Sequence, residues 1–242
     1  MKKKTAISYF AVFILLASTV FCLASCSLTV ESGLETASHD NTTAAEQPAA
    51  QPEISLSGCL FIGDSRTEGL RVTDSLPGAD VFCSVGMSVF DATERVMTTG
   101  DGAGYDLVHF LSTGNYKKVY ILLGINEINA DLDTVVDTYS SLIDLVRGYQ
   151  PDAKIIIQAN PHVTAWRSSL GDAYNNDNVN LLNEKLYALT DGISICWLDA
   201  TPILDDEEGG LRIEYAEEDG IHPNRNCYVM WGDWIVLQNA HY

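Results

Sequence analysis

The chain has 242 residues, 46% of them hydrophobic and 9% aromatic, and carries a formal charge of −19. That length suits about one domain with a proper core, and the acidity excludes a protein built to follow a phosphate backbone. Without Lys2, Lys3 and Lys4 the remainder holds 33 acids against 11 bases, so anionic partners are repelled too, within a screening length of about 8–10 Å.

The first segment reads as a processing signal rather than as fold. Three lysines precede an uncharged apolar stretch, Ala6 to Leu23, and Leu23-Ala24-Ser25-Cys26 closes it with small residues. This is the pattern of an export signal. It resembles a bacterial lipobox, which implies cleavage before Cys26, lipidation of Cys26 and an extracytoplasmic, membrane-anchored chain; two or more acyl chains anchor stably where one does not. An uncleaved membrane helix is the alternative, since the stretch is nearly long enough to span. Residues 27–57, rich in Ser, Thr, Ala, Glu and Gln with Pro48 and Pro52, read as a flexible tether. About 31 such residues reach ~30 Å.

From Gly58 to the end, short apolar runs alternate with longer amphipathic stretches. Five runs predict strands: Cys59–Ile62, Asp80–Cys83, Lys118–Leu123, Lys154–Gln158 and Ser194–Leu198. They are continuous rather than alternating, as in a parallel sheet covered on both faces. Val135, Val136, Tyr139, Leu142, Ile143 and Val146 predict a helix between the third and fourth strands, stopped by Gly148 and Pro151. Leu181, Leu182, Leu186 and Leu189 predict another, ended by Gly192. Pro223 suits the first turn of a last helix through Tyr228, Trp231 and Ile235. Between the second and third strands Gly100, Gly102 and Gly104 interrupt any helix. Repeated βα units imply an α/β fold, a three-layer α/β/α sandwich with right-handed crossovers.

In such sheets ligands bind beyond the carboxyl ends of the strands, and chemistry-bearing residues gather there. Ser65 follows the first strand in Gly63-Asp64-Ser65, where a helix N-terminus favours developing negative charge. A plain helix cap is its ordinary alternative. Gly86 follows the second strand and lets an oxygen approach its N–H. Asn126, in Gly124-Ile125-Asn126-Glu127, follows the third and can donate from its amide. His222, in Asp219-Gly220-Ile221-His222-Pro223, lies after the fifth and could take the Ser65 proton, with Asp219 orienting the imidazole. Glu217 and Glu218 beside Asp219 leave open which acid serves. Ser65, Gly86 and Asn126 would make a three-donor oxyanion hole.

These four blocks resemble those of the SGNH (GDSL-type) hydrolases, over Gly58 to about Gln238. The resemblance implies a five-stranded flavodoxin-like sheet, a Ser65 nucleophile, Asp219 and His222 as its partners, and Gly86 and Asn126 as oxyanion donors. Two positions depart from it: Glu127 stands where many members have Asp, and Arg66 where an aliphatic residue is common. Arg66 either binds an anionic substrate group or pairs with an acid. Glu127, and His162 and Trp166 after the fourth strand, are further candidates for substrate binding. No Cys-x-x-Cys and no His-x-x-x-His occurs, so neither a metal site nor a cofactor is expected. Cys59, Cys83, Cys196 and Cys227 could pair in an exported protein, but three lie in or beside apolar strands, where a thiol packs as a small hydrophobe.

The expected function is a serine esterase removing acetyl or other small acyl groups from carbohydrate or cell-wall polymer such as peptidoglycan. No long apolar lid is visible, which disfavours a lipase; thioesters, and a ligand-binding lipoprotein with a degenerate site, are the other readings. An inverting glycosidase would need a specific carboxylate pair, which 33 acids leave unspecified.

Overall fold

Apolar runs too short for helices and flanked by turns can hide from water only by pairing with one another, and five of them do so. The computed structural model describes residues 55–100 and 102–242. The export segment, Cys26 and residues 27–54 of the tether lie outside the described residues. In chain order the elements are β1 (Cys59–Gly63), α1 (Ser65–Val72), β2 (Asp80–Cys83), β3 (Val96–Thr98), β4 (Gly104–Asp106), α2 (Leu107–Thr113) and β5 (Lys118–Leu122). There follow α3 (Leu132–Tyr149), β6 (Lys154–Gln158), α4 (Ala165–Ser168), α5 (Asn176–Tyr187), β7 (Ile195–Leu198), α6 (Thr201–Leu204) and α7 (Arg225–Asn239).

The main sheet has the order β2-β1-β5-β6-β7, and every neighbouring pair is parallel. Strand order reverses beside β1, between the step out to β2 and the return to β5, which places a ligand crevice at the ends of β1 and β5.

Successive residues of each strand serve opposite faces. Leu60, Ile62, Val119, Ile121, Ile155 and Ile157 pack with Leu107 and Leu111 of α2, Val135 and Tyr139 of α3, and Leu182 and Leu186 of α5. Phe61, Tyr120, Leu122 and Ile156 face the other way, against Leu70 of α1, Leu204 of α6, and Tyr228, Trp231 and Ile235 of α7. Each such side chain contributes about 1.5–3 kcal/mol of burial, and both faces are needed. Phe61 and Tyr120 stack across the β1–β5 pair with ring centroids 4.4 Å apart.

Several expectations shift at the edges. Leu56, assigned to the tether, is wholly buried in the second face of the core and its N–H donates to Pro77 O, so packing begins before Gly58. Gly148 does not stop α3, which runs to Tyr149; Pro151 is the effective barrier. α5 ends at Tyr187, well before Gly192. Pro223 precedes Asn224, the N-cap of α7, instead of entering its first turn. The glycine-broken stretch folds as an antiparallel hairpin, β3–β4, with Gly100 and Gly102 in its connection. The four cysteines from Cys59 onward are buried and unpaired. Burial raises the pKa of the Cys227 thiol to about 12.

Candidate active site

Gly63 ends β1 with no room for a Cβ, which would run into the Thr67 side chain and Leu122 O. The strand therefore turns directly into α1. Asp64, not Ser65, is the N-cap, its side chain accepting from Arg66 N–H. Ser65 is thus left at the first helical position with its hydroxyl uncommitted to the cap. That hydroxyl lies 2.9 Å from Nε2 of His222.

His222 comes from the other end of the domain. A bridge between Ala216 and Pro223 and a Glu217 N–H to His222 O bond of 2.8 Å pinch residues 217–222 into a tight loop. Gly220 turns it at φ 68°, a conformation few L side chains adopt, and its carbonyl accepts from Thr164 N–H at 2.9 Å. Even a methyl there would meet Thr164 Oγ1 at 2.6 Å. Asp219 Oδ1 accepts from the N–H groups of Ile221 and His222 at 2.9 Å each, while Oδ2 faces His222 Nδ1 at 2.5 Å. Burial pushes the Asp219 carboxyl up, but the His222 N–H, its imidazole and the Ile221 N–H outweigh that and hold it below the usual range. An ionised carboxylate at Nδ1 keeps the proton on that nitrogen, so Nε2 carries the lone pair and Ser65 O–H donates to it. Of the three neighbouring acids, Asp219 is the one at the ring.

The remaining rim is the loop after β2. Gly86, exposed with φ 72°, would carry a Cβ into open space, with nothing within 4 Å. Asn126 Nδ2 donates to Met87 O at 2.8 Å, which brings it beside the Gly86 turn and leaves its second N–H uncommitted. Arg95, paired to Asp91 at 2.6 Å, also donates to Gly86 O at 3.1 Å. A hydroxyl hydrogen-bonded to an imidazole at a helix N-terminus, with a turn glycine and a free amide N–H on the loops after the two strands that flank β1, is a set of groups suited to attack on a carbonyl.

Three of the four residues considered for substrate binding are committed elsewhere. Arg66 is 1% exposed and Asp64 is fully buried; the guanidinium grips both carboxylate oxygens at 3.2 and 2.8 Å and donates to Asn160 Oδ1 at 2.7 Å. The ion pair, not an anion site, is its role. Glu127 is 3% exposed and its Oε1 accepts from Val89 N–H at 2.7 Å. Burial above all, with Asp64 adding to it, raises its pKa to about 7 despite the Val89 N–H and Arg66. His162 is buried between Asp205 at 2.6 Å and Asn180 at 2.8 Å. Burial alone would lower its pKa, yet those two partners raise it. It pins the segment after β6 to α5 and to the end of α6. Trp166 is 54% exposed, and its ring edge packs on the Gly220 turn.

Sequence reading missed Asn160, which receives Arg66 and donates to Leu123 O at 3.0 Å, joining the ends of β1, β5 and β6 behind Ser65. The available signal was polar Gln158 and Asn160 closing an otherwise apolar strand.

Residues 61–229 match the model of the GDSL-like lipase/acylhydrolase family. No curated protein matches the chain at the level of sequence. Among solved structures, a GDSL-like lipase from Bacteroides thetaiotaomicron is 19% identical with a TM-score of 0.56, covering 75% of this chain and 86% of its own. A carbohydrate esterase family 3 protein from Talaromyces cellulolyticus is 15% identical with a TM-score of 0.53, covering 77% and 97%. An acetyl xylan esterase, also 15% identical, gives a TM-score of 0.54 over 76% of this chain and 99% of that one. At such identities the structures share the α/β/α fold.

Proposed function

The chain belongs to the GDSL-like lipase/acylhydrolase family and is an ester hydrolase, and from that premise we propose that Ser65 is the nucleophile, His222 its general base and Asp219 the carboxylate behind it. One observation carries this reading: Ser65 Oγ sits 2.9 Å from a nitrogen whose ring partner is held by a carboxylate. Ser65 Oγ attacks the ester carbonyl as its proton passes to His222 Nε2. The resulting oxyanion is held by the Ser65 N–H, the Gly86 N–H and the free Asn126 amide N–H. Collapse breaks the C–O bond to the alcohol, which takes the proton from His222 and leaves an acyl-Ser65. Water then repeats the sequence, releasing the acid. Asp219 stays ionised throughout. The test is hydrolysis of an aryl acetate by the chain and by Ser65→Ala; equal rates would end this reading.

For the substrate we propose small acyl groups, acetyl first, on carbohydrate or cell-wall polymer. Support comes from the exposed Trp166 ring beside the His222 loop, an apolar face suited to a sugar ring, and from the carbohydrate and acetyl xylan esterases that share the fold. Acetate release from a panel of acetylated plant and cell-wall polysaccharides tests it. Trp166→Ala should lower kcat/KM on the best polymer about 3- to 10-fold more than on an aryl acetate. No acetate from any polymer, or an equal loss on both substrates, would move the choice to another ester.

We also propose that the enzyme works outside the cytoplasm, tethered by lipid on Cys26. In a bacterial host, labelled fatty acid should enter the wild-type chain and not Cys26→Ser. Unlabelled wild-type protein would remove the anchor from the account.

A further inference from the structure

The loop that carries Gly86 is anchored beyond it by Met87 and Val89, which are buried in the core, while Gly86 itself is held at its carbonyl by Arg95 and stands at the exposed tip. Gly86 has no side chain, its backbone is exposed, and the neighbouring Val85 is 72% exposed. Internally the turn is closed by Met87 N–H to Ser84 O at 3.1 Å. Two bonds tie it to the loop after β5: Asn126 Nδ2 to Met87 O, and Val89 N–H to Glu127 Oε1. The first draws on the amide that must also face the oxyanion. The second is independent of it, shorter at 2.7 Å, and sunk below the surface.

A carboxyl is a costly choice for that duty. Glu127 is almost wholly buried, and its second oxygen, Oε2, has no hydrogen-bonding partner. Burying such a group without full compensation is destabilising, so its presence calls for a reason other than stability. Its place in the chain supplies one. Glu127 directly follows Asn126, so one rigid turn carries both an oxyanion donor and the group that grips the loop of the other donor.

We propose that Glu127 is a positioning residue: through Val89 it holds the Gly86 N–H at a set distance from the Asn126 amide, so that the oxyanion donors are preorganised before substrate arrives. The assignment rests on Ser65 being the nucleophile. Preorganised donors contribute in the transition state more than in the bound ester, so the effect belongs in kcat. Oε1 accepts from Val89 whether or not the carboxyl holds a proton, and the amide oxygen of Gln can take its place at the same reach. Asp is one methylene shorter and cannot reach without moving the turn.

The experiment compares Glu127→Ala, Glu127→Asp and Glu127→Gln with the wild type on an aryl acetate. Rates are expressed per serine titrated with a fluorophosphonate, so that misfolded protein is not counted. The Ala and Asp variants should lose about 100-fold in kcat, the cost of misplacing catalytic groups by about 1 Å, with KM within about 3-fold. Gln should stay within about 3-fold of wild type in kcat. Amide hydrogen exchange at Val89 should quicken in Ala and Asp but not in Gln. If Ala does not fold, the Asp and Gln pair decides alone. Wild-type kcat per titrated site in Ala or Asp, or a Gln variant as impaired as Asp, overturns the assignment while leaving Ser65 as the nucleophile. A wild type that neither hydrolyses the ester nor takes up the fluorophosphonate overturns both.

Discussion

Ser65→Ala is expected to lower kcat on an aryl acetate by about 10⁴- to 10⁶-fold, with the protein folded and its melting temperature little changed. The substitution removes one half-buried oxygen at the start of α1, where the cap is supplied by Asp64, so stability has no reason to suffer. His222→Ala should cost a similar factor, because an unactivated hydroxyl is a poor nucleophile at neutral pH. The double variant should be scarcely worse than either single one, since each single change already disables the shared step. Asp219→Asn should cost about 10⁴-fold: an amide at Nδ1 stabilises the imidazolium poorly and permits the wrong tautomer. Progress curves at matched concentrations of folded protein measure all four. If the Ser65 and His222 losses multiply in the double variant, the two groups act separately and the relay through the 2.9 Å contact is wrong.

Arg66→Ala should be the most destabilising substitution near the site, by about 3–5 kcal/mol. It leaves the Asp64 carboxylate charged and sealed from water, and breaking one member of a buried pair typically costs that much. The loss is a large part of a domain's usual 5–15 kcal/mol. Asn160 Oδ1 loses its donor as well. Arg66→Lys should recover only part, because a single ammonium cannot supply the two-pronged contact to Asp64 together with the bond to Asn160. Replacing both partners, Asp64→Asn with Arg66→Met, should cost clearly less than the sum of the singles. The midpoint and slope of urea unfolding report each value. An unchanged midpoint for Arg66→Ala would mean that water reaches Asp64 and that the pair does not brace the Ser65 turn. Since Ser65 lies between the two partners in sequence, any variant that folds should also lose activity.

The spatial order of the strands came from the fold. Hydrophobic pattern and residue type alone determined the five parallel strands and their succession along the chain, the two principal helices before β6 and β7, the last helix, and the four loops that follow the carboxyl ends of strands. These are local properties: an uninterrupted run such as Lys118–Leu122 can be satisfied only by a strand covered on both faces. Ser65, His222 and Asp219 were legible for a different reason: each stands in a short block that follows a predicted strand, and together the blocks resemble those of the GDSL-type hydrolases. What only the tertiary structure decided is what each polar group near them faces. Arg66, Glu127 and His162 carry charge or take it up readily, and in sequence look free to meet a ligand. In the fold Arg66 turns back on Asp64, Glu127 is buried beneath the Gly86 loop, and His162 is locked between Asp205 and Asn180. Asp64 is near Arg66 in sequence, but the second partner of Arg66, Asn160, follows β6, and the partners of Glu127 and His162 come from the loop after β2, from α5 and from the end of α6, far along the chain, so no spacing records those contacts. The β3–β4 hairpin was hidden likewise, because three-residue strands are too short to show a period and its glycines read as breaks. Helix ends moved for a milder reason: Gly148 costs α3 about 1 kcal/mol, and the packing of Val146 against the core offsets it. Periodicity reports which side of an element avoids water; only the folded chain reports which partner a buried polar atom has found.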